Sequence, residues 1–60
     1  MLPSDAAMLL SVVNMKLRDG YASLEALCDD LEEDAAEIEA QLAAFGYEYD
    51  EKANRFVPKK

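Results

Sequence analysis

Two glycines punctuate this chain, and each is followed by a tyrosine: Gly20-Tyr21 and Gly46-Tyr47. Glycine enters the left-handed conformation without the Cβ clash other residues meet, so it commonly ends a helix, and an apolar residue just past it packs back onto the last turn. The two positions therefore predict two helix ends built the same way. They also divide the sequence by period. Before Gly46 the apolar residues recur at three- and four-residue intervals; after it they alternate with polar ones, as in Tyr47-Glu48-Tyr49 and Arg55-Phe56-Val57. A chain with this change of period is helical first and extended afterwards.

The first helix is expected over about residues 5–19, with Ser4 or Asp5 as its cap. One apolar stripe runs through Ala6, Leu9, Leu10, Val13 and Leu17, and a second through Met8, Val12 and Met15, leaving only Ser4, Ala7, Ser11, Asn14 and Arg18 as a weak outer face. Such a helix is either central to the domain or covered on its second side by another chain. Ser23 is positioned to cap a second helix, about 24–31, with Leu24, Leu27 and Leu31 inward. Asp34 is positioned to cap a third, about 35–45, with Glu37 completing an Asp-x-x-Glu capping box and Ala35, Ile38, Leu42 and Phe45 on one face. Asp50 suits the first position of a type I turn and Asn54 tolerates a left-handed residue, which predicts a β-hairpin over about 47–57. Pro58 cannot donate to a ladder and closes the second strand, leaving 58–60 as a loose tail.

The expected fold is therefore a single domain over 1–60, mostly α with a small β-hairpin, of α+β class, in the order helix-helix-helix-strand-strand. That is the layout of a winged helix-turn-helix. Cys28 sits where such motifs keep a small residue, and Ile38 where the third helix turns an aliphatic residue inward. Glu32, however, stands in place of the usual turn glycine and Glu33 in place of an aliphatic residue, which puts the tight turn in question, since a non-glycine in the left-handed region costs about 1 kcal/mol.

The stretches Met8-Leu9-Leu10-Ser11-Val12-Val13-Asn14-Met15-Lys16-Leu17-Arg18-Asp19 and Gly46-Tyr47-Glu48-Tyr49-Asp50, followed by Asn54 and Phe56-Val57, resemble a family of short bacterial proteins classed as a domain of unknown function (domain of unknown function 4250). The resemblance covers nearly the whole chain and implies a complete, free-standing protein. It carries no activity, ligand or site residue.

At this size folding hides only about 60% of the surface that the unfolded chain exposes, so the margin of stability is thin. Cys28 is the one cysteine and histidine is absent, which leaves neither an internal disulfide nor a Cys/His zinc site as a staple. Ten of the apolar residues are alanines, and about twenty large side chains remain to form a core. Association with a second copy or a partner is the staple left. No basic leader precedes the apolar stretch from Ala6 to Val13, which is short and interrupted by Ser11. Neither a signal peptide nor a membrane span is expected. A lone cysteine suits a reducing, cytoplasmic setting.

Between Glu25 and Glu39 stand eight acidic residues (Glu25, Asp29, Asp30, Glu32, Glu33, Asp34, Glu37 and Glu39) and no cation. With a net charge of −7, this is the wrong sign for a surface that lies against phosphates. Carboxylates at Glu33, Asp34 and Glu37 suit the start of a helix, each favoured by about 0.3–1 kcal/mol, whereas Asp29 and Asp30 fall at a helix end that disfavours them. The run lacks the spacing of a calcium loop. No metal, cofactor or small-molecule substrate is expected. Without a histidine, a phosphate-binding glycine loop or a nucleophile–base pair, and with too little chain to enclose a pocket, catalysis is not expected either. Cys28 reads as a small buried residue whose pKa its neighbours Asp29 and Asp30 raise.

The preferred expectation is a non-enzymatic protein-interaction module, homodimeric or partner-bound. Its candidate interface comprises Met8, Val12 and Met15, the alanine ridge Ala36, Ala40 and Ala44, and Asp29 and Asp30. The alternative is a DNA-binding protein that uses Gln41 on the third helix with Lys52, Arg55, Lys59 and Lys60 on the wing and tail. A further alternative is an acidic mimic of nucleic acid bound to a basic protein surface.

Overall fold

A computed structural model describes residues 2–59, which form α1 (Ala6–Asp19), α2 (Leu24–Leu31), α3 (Ala35–Ala44), β1 (Tyr47–Asp50) and β2 (Arg55–Pro58). The element order is the one the change of period predicts. The buried core is Leu9, Val13 and Leu17 from α1, Leu24, Leu27 and Cys28 from α2, Ile38 and Leu42 from α3, and Phe56 from β2. Leu10, Tyr21, Leu31, Ala35, Tyr47 and Tyr49 are half-buried against it.

Each helix starts on a polar cap. Asp5 Oδ1 accepts from the N–H groups of Ala7 and Met8 at 2.9 and 3.2 Å, so Asp5 stands just outside α1 as its cap, the role expected of Ser4 or Asp5. Ser23 Oγ accepts from Ala26 N–H at 3.1 Å, and Asp34 Oδ1 from Ala36 N–H at 2.9 Å. A side-chain cap of this kind contributes about 1 kcal/mol.

The helix ends differ from one another, which corrects the expected repetition. Gly46 has φ 96° and is left-handed, but Gly20 has φ −160°, an extended conformation that any residue adopts. Gly20 still donates its N–H to Lys16 O at 3.0 Å. The left-handed stop that lacks a glycine is at the end of α2. There Glu32 has φ 56° and ψ 44°, Glu33 N–H donates to Cys28 O at 2.8 Å and Glu32 N–H to Asp29 O at 3.4 Å. That pair of bonds is a Schellman closure, so the tight turn keeps its geometry although a glutamate occupies the glycine position.

α3 ends at Ala44, one residue short of the expected boundary, and Phe45 is 46% exposed instead of inward. By then the helix has run past the core. The Phe45 ring stacks on Tyr47 with centroids 5.9 Å apart and planes 18° from parallel.

The strands pair antiparallel in the register Tyr47↔Pro58, Glu48↔Val57, Tyr49↔Phe56 and Asp50↔Arg55. Asp50 Oδ1 accepts from Lys52 and Ala53 N–H in the turn, and Asn54 takes the left-handed position at φ 54°, as expected. Pro58 belongs to β2, and Lys59 N–H donates to Gly46 O at 2.9 Å. The expected loose tail over 58–60 is thus paired through Lys59, while Lys60 lies outside the described residues.

Two asparagines fasten the hairpin to the helices. Asn14 Nδ2 donates to Phe56 O at 3.1 Å and Asn14 Oδ1 accepts from Phe56 N–H at 2.7 Å. This moves Asn14 from the expected outer face of α1 to a half-buried contact, because β2 docks along that side of the helix. Asn54 Nδ2 donates to Tyr21 O at 2.8 Å, while its Oδ1 accepts from Tyr49 OH at 2.7 Å, and Tyr49 OH accepts from Leu24 N–H at 3.2 Å. Asn14, Tyr49, Asn54 and Phe56 all fall within the stretches that carry the family resemblance. Their roles here are structural.

Candidate functional site

At 100° per residue, placing Leu9, Val13 and Leu17 in the core brings Met8, Ser11, Met15 and Arg18 to the opposite side of α1. Met8 is 59% and Met15 47% exposed, and Ser11 and Arg18 are also exposed. Among the described residues these two methionines and Phe45 are the large apolar side chains left open to solvent. Val12 departs from the expected stripe: it is half-buried, because its position on the helix turns it partly toward the core side.

Beside the methionines, α1 and the hairpin turn enclose an open groove. Leu10, Ser11, Asn14 and Met15 line its helical wall, and Ala53 and Arg55 the other, with Arg18 at its end. Arg18 and Arg55 give it a basic rim. Sequence reasoning missed the groove because nothing in the period of α1 says on which flank the hairpin docks. Asn14 was the available signal: a polar residue between two apolar stripes, with two hydrogen-bonding functions to satisfy.

The acidic side of the molecule lies elsewhere. Among the described residues the ion pair formed is Arg18 Nε with Asp19 Oδ1 at 3.1 Å, both exposed, and none of the eight carboxylates from Glu25 to Glu39 joins a cation. Nor do three or more Cys, Asp or Glu side chains among the described residues gather closely enough to hold a metal ion. Asp29 remains an exposed charge at the end of α2, whereas Asp30 accepts a short hydrogen bond from Tyr21 OH. That bond gives Asp30 a local reason to stand where the helix dipole disfavours it. It also holds the Tyr21 phenol above its ordinary pKa, with burial and the Asp30 charge adding in the same direction.

Cys28 is buried, as expected, and burial is the first cause that pushes its thiol above the ordinary range. The charges that add to this are Glu33, Asp34 and Glu39, not Asp29 and Asp30. The chain reverses at Glu32, so acids later in the sequence face the thiol while its neighbours along α2 point outward.

The remaining candidate residues are scattered. Ala36, Ala40 and Ala44 are exposed along α3. Gln41 is exposed beside a hollow lined by Leu2, Pro3, Ser4 and Leu9. Lys52, Arg55 and Lys59 are exposed along the hairpin, Lys52 in its turn and Lys59 past its far end. Gln41 and Arg55 therefore line different concavities. No helix of the described chain is long and apolar enough to cross a membrane.

A family model described as "Domain of unknown function (DUF4250)" matches residues 3–56. No curated protein and no solved structure matches the chain.

Proposed function

We propose that this chain, which belongs to the DUF4250 family of unknown function, is a small interaction module without catalytic chemistry of its own, which self-associates through the outer side of α1. The observation that carries this reading is the pair Met8 and Met15, 59% and 47% exposed on one side of the helix that also supplies three core residues. A domain of this size has a thin core, its one cysteine is free and its described residues gather no metal-binding cluster, so covering those side chains adds stability that the isolated fold lacks. Covering the part of the two methionine side chains that is still exposed contributes about 1 kcal/mol each before the cost of association.

Sedimentation between ten micromolar and one millimolar tests the reading. We expect the weight-average mass to rise with concentration, and to stay at one chain in a Met8→Lys/Met15→Lys variant that remains folded. A wild-type chain that sediments as a monomer throughout this range would overturn self-association. DNA binding through the hairpin and mimicry of nucleic acid are weaker readings. The first has Arg18 and Arg55 lining one groove in its favour, and the second rests on unpaired carboxylates alone.

A further inference from the structure

We infer that the outer edge of β1 is a docking site for an extended segment of another protein that carries lysine or arginine at alternate positions. In an antiparallel pair, residues whose backbone groups point at the partner strand alternate with residues whose groups point away from it. Two contacts fix the phase here. Lys59 N–H donates to Gly46 O across the ladder, and Phe56 turns its N–H and C=O outward to Asn14. In the register Tyr47↔Pro58, Glu48↔Val57, Tyr49↔Phe56, the backbone groups of Glu48 therefore face Val57, while those of Tyr47 and Tyr49 point away from β2. None of these outward N–H and C=O groups has a hydrogen-bond partner among the described residues.

The two edges of the hairpin are finished differently. That of β2 is closed, because Asn14 occupies Phe56 and Pro58 has no N–H to offer. That of β1 has no proline, only acids. Glu48 and Asp50 share the face opposite the Tyr49 ring, which packs on Phe56. Across the ladder Glu48 meets Val57, not a cation, and Asp50 meets Arg55 without an ion pair among the described residues. Charge decides the occupant. A second copy running antiparallel could engage all the open groups only by pairing its Tyr49 with Tyr47, which sets the two Glu48 side chains directly opposite each other, a like-charge pair that destabilises a sheet. A strand with cations opposite Glu48 and Asp50 completes the same backbone bonds and gains attraction instead. Apolar residues between those cations meet Tyr47 and Tyr49, and Phe45, 46% exposed and stacked on Tyr47, extends the apolar surface at the start of β1. In such strand addition the backbone bonds supply affinity and alternate side chains supply selectivity. The edge shares no residue with the outer face of α1.

The probe is the peptide acetyl-Thr-Lys-Val-Lys-Val-Thr-amide, which antiparallel to β1 sets its lysines opposite Asp50 and Glu48 and its valines opposite Tyr49 and Tyr47. Titrated into isotope-labelled protein and followed by NMR, it is expected to bind saturably in the millimolar range, shifting the Tyr47 and Tyr49 amide resonances and slowing their exchange with solvent. Control peptides separate charge from backbone. With glutamate in place of lysine, or with both valine amides methylated, binding should be lost. Glu48 is exposed, so Glu48→Lys should leave the fold intact by circular dichroism. It should weaken the lysine peptide about fivefold and make the glutamate peptide the tighter of the two. Absence of saturable binding by the lysine peptide overturns the proposal. So does binding that methylation leaves unchanged, or that shifts the carboxylate-rich segment from Glu25 to Glu39 and not β1, since either shows attraction by charge alone. A glutamate peptide that binds the wild-type chain as well as the lysine peptide overturns the choice of a basic partner.

Discussion

Asn14 holds the backbone of Phe56 at both of its polar atoms, donating to the carbonyl at 3.1 Å and accepting from the N–H at 2.7 Å. A single side chain thereby does for β2 what a neighbouring strand would do. Asn14→Ala leaves both groups half-buried and unpaired, and is expected to cost about 2 kcal/mol in a urea melt. Asn14→Asp separates the two bonds. Its carboxylate still accepts from Phe56 N–H but faces the carbonyl oxygen, so the folded state favours the protonated acid and raises its pKa. The stability that the protonated side chain supplies is then lost as pH rises through that value. Asn14→Asp should be clearly weaker than wild type at neutral pH and close part of the gap under mild acid; a gap independent of pH would contradict the two-bond role.

Glu32 closes α2 in the left-handed region, at φ 56°. Glycine there removes a strain of about 1 kcal/mol, and it also removes one charge from a crowded acidic surface. Glu32→Gly is therefore expected to raise the melting temperature by about 4–8 °C, the shift that 1 kcal/mol gives in a domain this small. A lower melting temperature would mean that the glutamate side chain makes a contribution larger than the strain. Glycine at Gly20's φ of −160° is under no such demand, so Gly20→Ala should change the melting temperature little by comparison.

None of the carboxylates from Glu25 to Glu39 is in an ion pair among the described residues, and Glu25 and Asp29 are like charges four apart on α2. Screening should relieve this repulsion. Thermal melts of dilute protein from low to moderate sodium chloride are expected to move upward. A downward shift would show that the cations of α1 or the hairpin neutralise that side.

Alkaline pH acts on two groups together. The Cys28 thiol is held above its ordinary pKa by burial and by Glu33, Asp34 and Glu39, and the Tyr21 phenol by its hydrogen bond to Asp30. Both release their protons earlier in the unfolded chain than in the folded one, so the unfolded state binds fewer protons and stability falls as pH rises. The decline should begin near the ordinary thiol value of 9.0 and continue past the ordinary tyrosine value of 10.0. Melts across this range check it, and Tyr21→Phe should remove the upper part of the decline while leaving the part due to Cys28.

Much of the fold was legible because its signals are local. The caps Ser23 and Asp34, the turn pair Asp50 and Asn54, and the switch of period at Gly46 each act within a few residues of where they stand. Gly20 and Glu32 were misread for a related reason: a residue type states which conformations are cheap, not which one the chain needs at that point. Asn14 and Phe45 depend on what packs beside them, and no spacing within α1 or α3 reports where the hairpin lies. Met8 and Met15 were legible as surplus to the core, since the inner stripe of α1 was already complete without them. The groove beside them was not, because its second wall comes from Ala53 and Arg55, far along the chain.

The bond from Asn14 to Phe56 spans 42 residues, whereas the caps and turns that shape each element span two or three. Closing so long a loop is entropically the dearest step available to this chain, so it belongs late in folding, after the helices have gathered. Loss of the Asn14 contact should then quicken unfolding and leave the refolding rate almost unchanged in stopped-flow measurements. The hairpin would act as a latch on a helical body: it governs how long the native state lasts once formed, more than how quickly it is reached.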